Sequence, residues 1–117
     1  MVIEQGEIYW VDFGDPAGSE PGYRHPHIVI QNNLFNISNI NTVVVCSLTS
    51  NLKRGFSPGN VMLKKGEANL PKKSVVNITQ IYTVNKTDLS EKIGKVNSER
   101  IKEINLGLQL LTDPKRL

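Results

Sequence analysis

The run Thr42-Val-Val-Val-Cys-Ser-Leu-Thr-Ser50 is the stretch from which the fold of this chain is read. Side chains alternate across an extended strand, so Val44, Cys46 and Leu48 share one face, and Val43, Val45, Ser47 and Thr49 share the other. The first positions are apolar on both faces, which predicts a central strand covered on two sides. Toward the far end Ser47 and Thr49 bring hydroxyls to one face, which predicts that this face emerges at a site.

Upstream, residues 6–13 alternate in the same way, with Tyr9, Val11 and Phe13 on one face and Ile8 and Trp10 on the other. Gly14-Asp15-Pro16 closes that strand. Residues 27–31 form a β-branched strand, entered through the loop Gly18-Ser-Glu-Pro-Gly-Tyr-Arg-His-Pro26. The Asn- and Ser-rich residues 32–41 read as a short irregular or helical-turn connection that tucks Leu34, Phe35, Ile37 and Ile40 inward.

Downstream, residues 59–65 are a short strand with Val61 and Leu63 inward. Residues 74–84 are a long strand with Val76, Ile78, Gln80, Tyr82 and Val84 on one face. Gln80 is the polar member of that row, either a specific hydrogen-bonding group or a partly exposed strand residue. Residues 87–96 read as a turn with a short strand around Ile93. A C-terminal helix starts at Asn97 or Ser98, either able to act as N-cap, with Glu99 favourably placed in the first turn. Ile101, Ile104, Leu108 and Leu111 make its apolar stripe; Gly107 weakens it and Pro114 ends it. Five or so short strands and one terminal helix predict a small barrel-like β domain with a helical cap.

A length of 117 residues fits one domain over 1–117, and 38% hydrophobic with 21% charged residues fits a folded globule rather than a disordered chain. The single Cys46 lies in an apolar run, has no internal disulfide partner and points to a reducing, cytoplasmic compartment. Neither a signal-peptide pattern nor a membrane-length apolar run is present, which predicts a soluble intracellular protein. Charge is divided unevenly. Residues 1–52 sum to −4, with Arg24 the only Lys or Arg, whereas residues 53–117 carry thirteen Lys and Arg against six acids. Such asymmetry is compatible with a nucleic-acid partner.

Much chemistry is missing from the pattern. There is no P-loop, GxGxxG, HExxH or Cys-rich metal spacing. His25 and His27 lie two apart without an evident third ligand, so no metal site is expected, and Cys46 has no paired His for thiol catalysis. What remains is Arg24 and His25 ahead of Pro26, the hydroxyls of Ser47 and Thr49, Glu20, Asn32 and Gln80. A basic loop over residues 51–58 adds Lys53, Arg54 and Phe56. Arg24 reads either as a phosphate contact or as a surface arginine paired with Glu20. This inventory suits transesterification of RNA, which brings its own 2′-OH nucleophile and needs proton transfer and phosphate stabilisation. The lysines and Phe56 would supply phosphate contacts and base stacking.

The ordered set of segments resembles the MazF/PemK toxins of type II toxin–antitoxin modules. It comprises Gly6-Glu-Ile-Tyr-Trp-Val-Asp-Phe13, Gly18-Ser-Glu20, Pro26 with Ile28-Val-Ile-Gln-Asn32, and Val43-Val-Val-Cys-Ser-Leu-Thr-Ser50. Gly59-Asn-Val61, Leu70-Pro71 through Val76, Gln80-Ile81 and the final helix complete it. The resemblance implies a mainly β fold with α, an SH3-like barrel (CcdB/MazF/PemK-like) with a C-terminal helix. It also implies a cytoplasmic homodimer with RNA across the dimer face. The implied activity is metal-independent, sequence-selective endoribonuclease cleavage of single-stranded RNA, without a cofactor. An antitoxin whose tail occupies the RNA groove would silence it, and the toxin–antitoxin complex would bind DNA.

By the same resemblance Thr49 takes the place of the family's catalytic threonine, and Ser19, Glu20 and Gln80 fall on positions used around the RNA. The family arginine normally stands immediately before the proline, where this chain has His25, with Arg24 one residue earlier. Three readings stay open at this point: Arg24 reaches the site, His25 acts as acid or base, or the site is impaired and the protein binds RNA without cutting it. Gyrase-poisoning toxins resemble the same fold but act through partner binding, and form the non-enzymatic alternative.

Overall fold

The alternating run becomes β3 (Thr42–Thr49), and the sheet is built outward from it in a computed structural model that describes residues 2–12 and 24–115. The other strands among the described residues are β1 (Glu7–Asp12), β2 (Arg24–Val29), β4 (Val61–Leu63), β5 (Ser74–Asn85) and β6 (Leu89–Lys95). They lie in the order β4-β5-β3-β2-β1-β6, and every pairing is antiparallel. Two α-helices complete the described chain, α1 (Asn33–Asn36) and α2 (Ser98–Thr112).

Alternation on the central strands produces two apolar layers. Ile8, Ile28, Cys46, Leu48, Val76 and Ile78 pack beneath Ile104 of α2. Tyr9, Val11, Val29, Val43, Val45, Val84 and Leu89 form the second layer. The strand faces assigned to β1 and β3 from sequence are therefore the observed ones, with Phe13 outside the described residues. Each aliphatic side chain taken fully out of water here contributes roughly 1.5–3 kcal/mol.

Glu7 is a buried acid within this apolar setting. Its carboxylate accepts from Tyr9 Oη (3.0 Å) and Glu4 N–H (2.7 Å) and pairs with Lys92 of β6 at 2.6 Å. Burial pushes its pKa up, but the Lys92, Glu4 and Tyr9 hydrogen bonds outweigh it and hold the carboxyl below its ordinary value. The pair latches β6 onto β1, and what the sequence suggested as a short strand around Ile93 is a full edge strand.

Three local expectations are corrected. Strand β2 begins at Arg24 rather than His27, because Asp12↔Arg24, Val11↔His25 and Trp10↔Pro26 pair it with β1. The ladder to β3 starts only at His27, so Pro26 needs no N–H on that side. Around α1, Leu34, Phe35, Ile37 and Ile40 face solvent instead of tucking inward. The inward place is taken by the buried Asn36, which donates to Gln31 O and Asn33 Oδ1 and accepts from Gln31 Nε2.

The third correction concerns β5. Between the pairs Cys46↔Ile81 and Leu48↔Val76, Ser47 alone on β3 stands against residues 77–80 of β5. Three extra residues reverse the facing of everything beyond them. The single row read from sequence is split: Val76 and Ile78 enter the helix-side layer, Val84 enters the opposite one, and Gln80 and Tyr82 are exposed. Cys46 Sγ donates to the Asn77 carbonyl of this bulge at 3.3 Å, and burial pushes the thiol up to about 12, so it remains protonated for that role.

Helix α2 is capped by Asn97, whose Oδ1 accepts from Arg100 N–H. Arg100 in turn makes a forked contact to Glu67 through Nε (2.8 Å) and Nη2 (3.1 Å), fixing the helix to the turn Glu67–Asn69. Gly107 is buried at the contact with Gly59, where a Cβ would overlap the Gly59 carbonyl oxygen. The glycine that weakens the helix in isolation is what lets it approach the sheet. Leu111, counted in the apolar stripe, is exposed beyond that contact.

Candidate active site

The bulge in β5 opens a recess of about 620 Å³ beside the end of β3. It is lined by His25 and His27 from β2, Ser47, Leu48 and Thr49 from β3, and Asn77, Thr79, Gln80 and Tyr82 from β5. Asn51 and Arg54, from the segment after β3, close one side. His27 is opposite Ser47 in the ladder, and beyond the ladder's end His25 and Thr49 both line the recess. Alternation thus brings the two hydroxyls and the two imidazoles to one face.

Thr49 Oγ1 accepts from Asn51 N–H at 3.1 Å, so its own O–H is left to donate elsewhere. Asn51 then caps the 3₁₀ turn Leu52–Phe56 by accepting from Lys53 N–H at 3.3 Å. This turn carries Lys53, Arg54 and Phe56, the last 92% exposed. Gln80 Oε1 accepts from Tyr82 Oη at 2.9 Å, which answers the open question about its polar side chain: it is exposed and held by a specific hydrogen bond.

His27 is only 2% exposed. Its Nδ1 lies 3.0 Å from the His25 carbonyl oxygen; a carbonyl only accepts, so the ring proton sits on Nδ1. Its ring meets Tyr82 edge-on at 5.7 Å. Burial lowers the His27 pKa, the hydrogen bond to His25 O works the other way, and the neighbouring His25 lowers it again. The ring is neutral near pH 7.

Arg24 takes a different course from His25. Its Nη2 donates to Glu91 (3.2 Å) and Ser90 Oγ (3.3 Å), and its guanidinium lies 5.5 Å from the Trp10 ring centroid. It borders a second cleft of about 290 Å³, with Trp10, Pro26, Leu70, Pro71 and Ile93 among its walls. His25 and Thr49 line both the recess and this cleft; Arg24 lines the cleft alone. Among the described residues the acid on Arg24 is Glu91, and the expected partner Glu20 lies outside them.

Of the other candidates read from sequence, Ser47, Arg54 and Gln80 line the recess. Lys53 and Phe56 stand on the adjoining turn without lining it. Asn32 does not reach it, because its Oδ1 is used to cap α1 at Leu34 N–H. Ser19 and Glu20 lie outside the described residues. Sequence reasoning missed Asn51, Asn77 and Thr79, and considered His27 only as a metal ligand. The signal was present in Asn77-Ile-Thr-Gln80, polar residues inside an otherwise apolar strand, but strict alternation hid their common destination. Among the described residues no group of three His, Cys, Asp or Glu is placed to hold a metal ion, and no helix is long and apolar enough to cross a membrane.

An antiparallel sheet of this order, backed by a C-terminal helix and opened at a polar recess, defines the class. Residues 4–112 match the PemK-like, MazF-like toxins of type II toxin–antitoxin systems, and the chain belongs to that family. It is 44% identical to Endoribonuclease MazF6 of Mycobacterium tuberculosis, over 97% of this chain and 99% of that protein. It is 30% identical to Endoribonuclease MazF of Staphylococcus saprophyticus, over 93% of this chain and 90% of that one. A solved mycobacterial endoribonuclease in complex with its cognate antitoxin superposes with a TM-score of 0.76 at 25% identity, covering 97% of this chain and 99% of its own. The expected SH3-like toxin fold is the one observed.

Proposed function

We propose that this protein is an endoribonuclease toxin that cleaves single-stranded RNA at the wall between the recess and the cleft. The observation that carries this reading is that His25 and Thr49 each line both cavities, with Arg54 in the wall of the recess. In the reaction the RNA 2′-oxygen forms a bond to phosphorus as the bond to the 5′-oxygen breaks, leaving a 2′,3′-cyclic phosphate and a 5′-hydroxyl. His25 is the proton-transfer group, since one ring nitrogen of a neutral imidazole can accept a proton while the other donates one. The Thr49 hydroxyl holds the phosphate as its charge grows, and the Arg54 guanidinium pairs with the strand's phosphates equally before and during the reaction. Lys53 and Phe56 extend the path along the strand by phosphate contact and base stacking, with Ser19, Glu20, Ser47 and Gln80 as further contacts. RNA supplies the nucleophile, so the reaction is read as metal-independent.

On the same reading the protein is a cytoplasmic homodimer, and an antitoxin silences it by covering this face. Support comes from the similar mycobacterial endoribonuclease, which was solved in complex with its cognate antitoxin. The engagement of Arg24 by Glu91 favours one competing reading, an RNA binder whose chemistry was lost when His25 replaced the arginine. Incubation of the purified protein with a long single-stranded RNA in excess chelator decides between them. Discrete cuts ending in 2′,3′-cyclic phosphates are expected; bound but intact RNA would mean a binder.

A further inference from the structure

The recess depends on two irregular segments that come from different parts of the chain, and one side chain joins them. Asn60 stands between the 3₁₀ turn Leu52–Phe56 and strand β4. Its Oδ1 accepts from Ile78 N–H at 2.8 Å, inside the stretch where β5 leaves β3. Its Nδ2 donates to the Arg54 carbonyl at 2.9 Å and to Asn77 Oδ1 at 3.3 Å. One amide therefore satisfies a backbone N–H released by the bulge and a carbonyl of the basic turn. We propose that Asn60 is a positioning residue for RNA binding, clamping the turn that carries Arg54 to the bulge that carries Asn77, Thr79 and Gln80.

This inference rests on the ribonuclease reading for its substrate class. The clamp is also buttressed from behind. Gly59, with φ of +78°, would place a Cβ 3.2 Å from Gly107 Cα, so α2 packs directly against the residue before Asn60. The amide is thus fixed in position by the core rather than by the RNA. His25 and Thr49 belong to β2 and β3, and neither is bonded to Asn60. The clamp should consequently govern how tightly RNA is held more than how fast it is cut once held.

Asn60→Asp separates the two halves of the clamp. A carboxylate still accepts from Ile78 N–H, and Asn77 can turn its amide to donate to it. The Arg54 carbonyl, which only accepts, keeps the Ser57 N–H but loses the Asn60 amide and faces a negative charge. Binding is read by titration with a mixed-sequence single-stranded RNA carrying 2′-O-methyl riboses, which lack the nucleophile, and cleavage is read in parallel on ordinary RNA. Asn60→Asp is expected to weaken binding about tenfold or more, with kcat within about twofold and KM raised in proportion. In an Arg54→Ala background the same substitution should change binding less than about threefold, because its effect runs through the turn. Asn60→Thr, which cannot reach the Arg54 carbonyl, serves the same cycle if the aspartate variant does not fold.

Unchanged binding in the folded single variant, or equal losses with and without Arg54, overturns the assignment. Cleavage failure of the unsubstituted protein, with the binding cycle intact, leaves the clamp standing and removes the ribonuclease reading instead.

Discussion

Strand β3 has a different relation to each of its neighbours. Against β2 the ladder runs in register through His27↔Ser47, Ile28↔Cys46 and Val29↔Val45. Against β5 it runs from Thr42 to Cys46, breaks at Ser47, and resumes at Leu48. On the regular side the neighbouring strand supplies the backbone partners, and alternation alone decides what is buried. On the broken side freed groups are satisfied by side chains, Ile78 N–H by Asn60 and the Asn77 carbonyl by Cys46. A sheet that is regular throughout would close this face, whereas the defect leaves room for polar residues from three segments. The regular flank carries His25 and Thr49 just past the end of its ladder, and the broken flank builds the recess that both line.

The largest effect is expected where the two flanks meet. Thr49→Val keeps the shape of the side chain and removes the hydroxyl, and single-turnover cleavage should fall by about 10²–10³-fold with little change in melting temperature. Normal cleavage in that variant would take Thr49 out of the site. A smaller effect is expected behind the broken flank. Gly107→Ala should lower the unfolding free energy by about 1–3 kcal/mol from overlap with the Gly59 carbonyl, measured as the shift in denaturant midpoint. Alanine favours an isolated helix by up to about 1 kcal/mol over glycine, so stabilisation would show that the close approach does not matter.

Acid separates the two flanks differently. The neutral, buried His27 has its pKa lowered, so the unfolded chain takes up a proton first and stability declines as pH falls below about 6.5. Glu7 also has a lowered pKa, but as an acid it contributes stability above about pH 4.3, lost as pH falls through its folded value. Denaturant titrations across pH should show two declines. Glu7→Gln shrinks the lower one, to which Glu67, held low by Arg100, also contributes, so the gap between variant and unsubstituted protein closes in strong acid; His27→Gln removes the upper one. Arg24→Gln should matter least for stability, under about 1 kcal/mol, since its partner Glu91 is largely exposed.

The legible parts of the molecule were those in which one period holds from end to end. Tyr9 and Val11, or Val43 and Val45, alternate without interruption and fall where period two puts them. The cap at Asn97 and the stop at Pro114 are local chemistry that needs no partner strand. The β5 row failed because the period was assumed to continue through residues 77–80, where three residues are inserted relative to β3. Around α1 hydrophobicity misled, because the Gln31–Asn36 network decides which side chain turns inward. The choice between Arg24 and His25 was not legible either. It depends on the Asp12↔Arg24 register and on Glu91 and Ser90 of a strand 66 and 67 residues away.

That choice is also open to the most direct test. Single-turnover cleavage of one single-stranded RNA in excess chelator should be compared for the unsubstituted protein, His25→Ala and Arg24→Ala. The expected result is a loss of at least about 100-fold for His25→Ala and less than about threefold for Arg24→Ala, whose guanidinium is held by β6. The reverse pattern, with Arg24 essential and His25 dispensable, would contradict the assignment of the proton-transfer group to the recess.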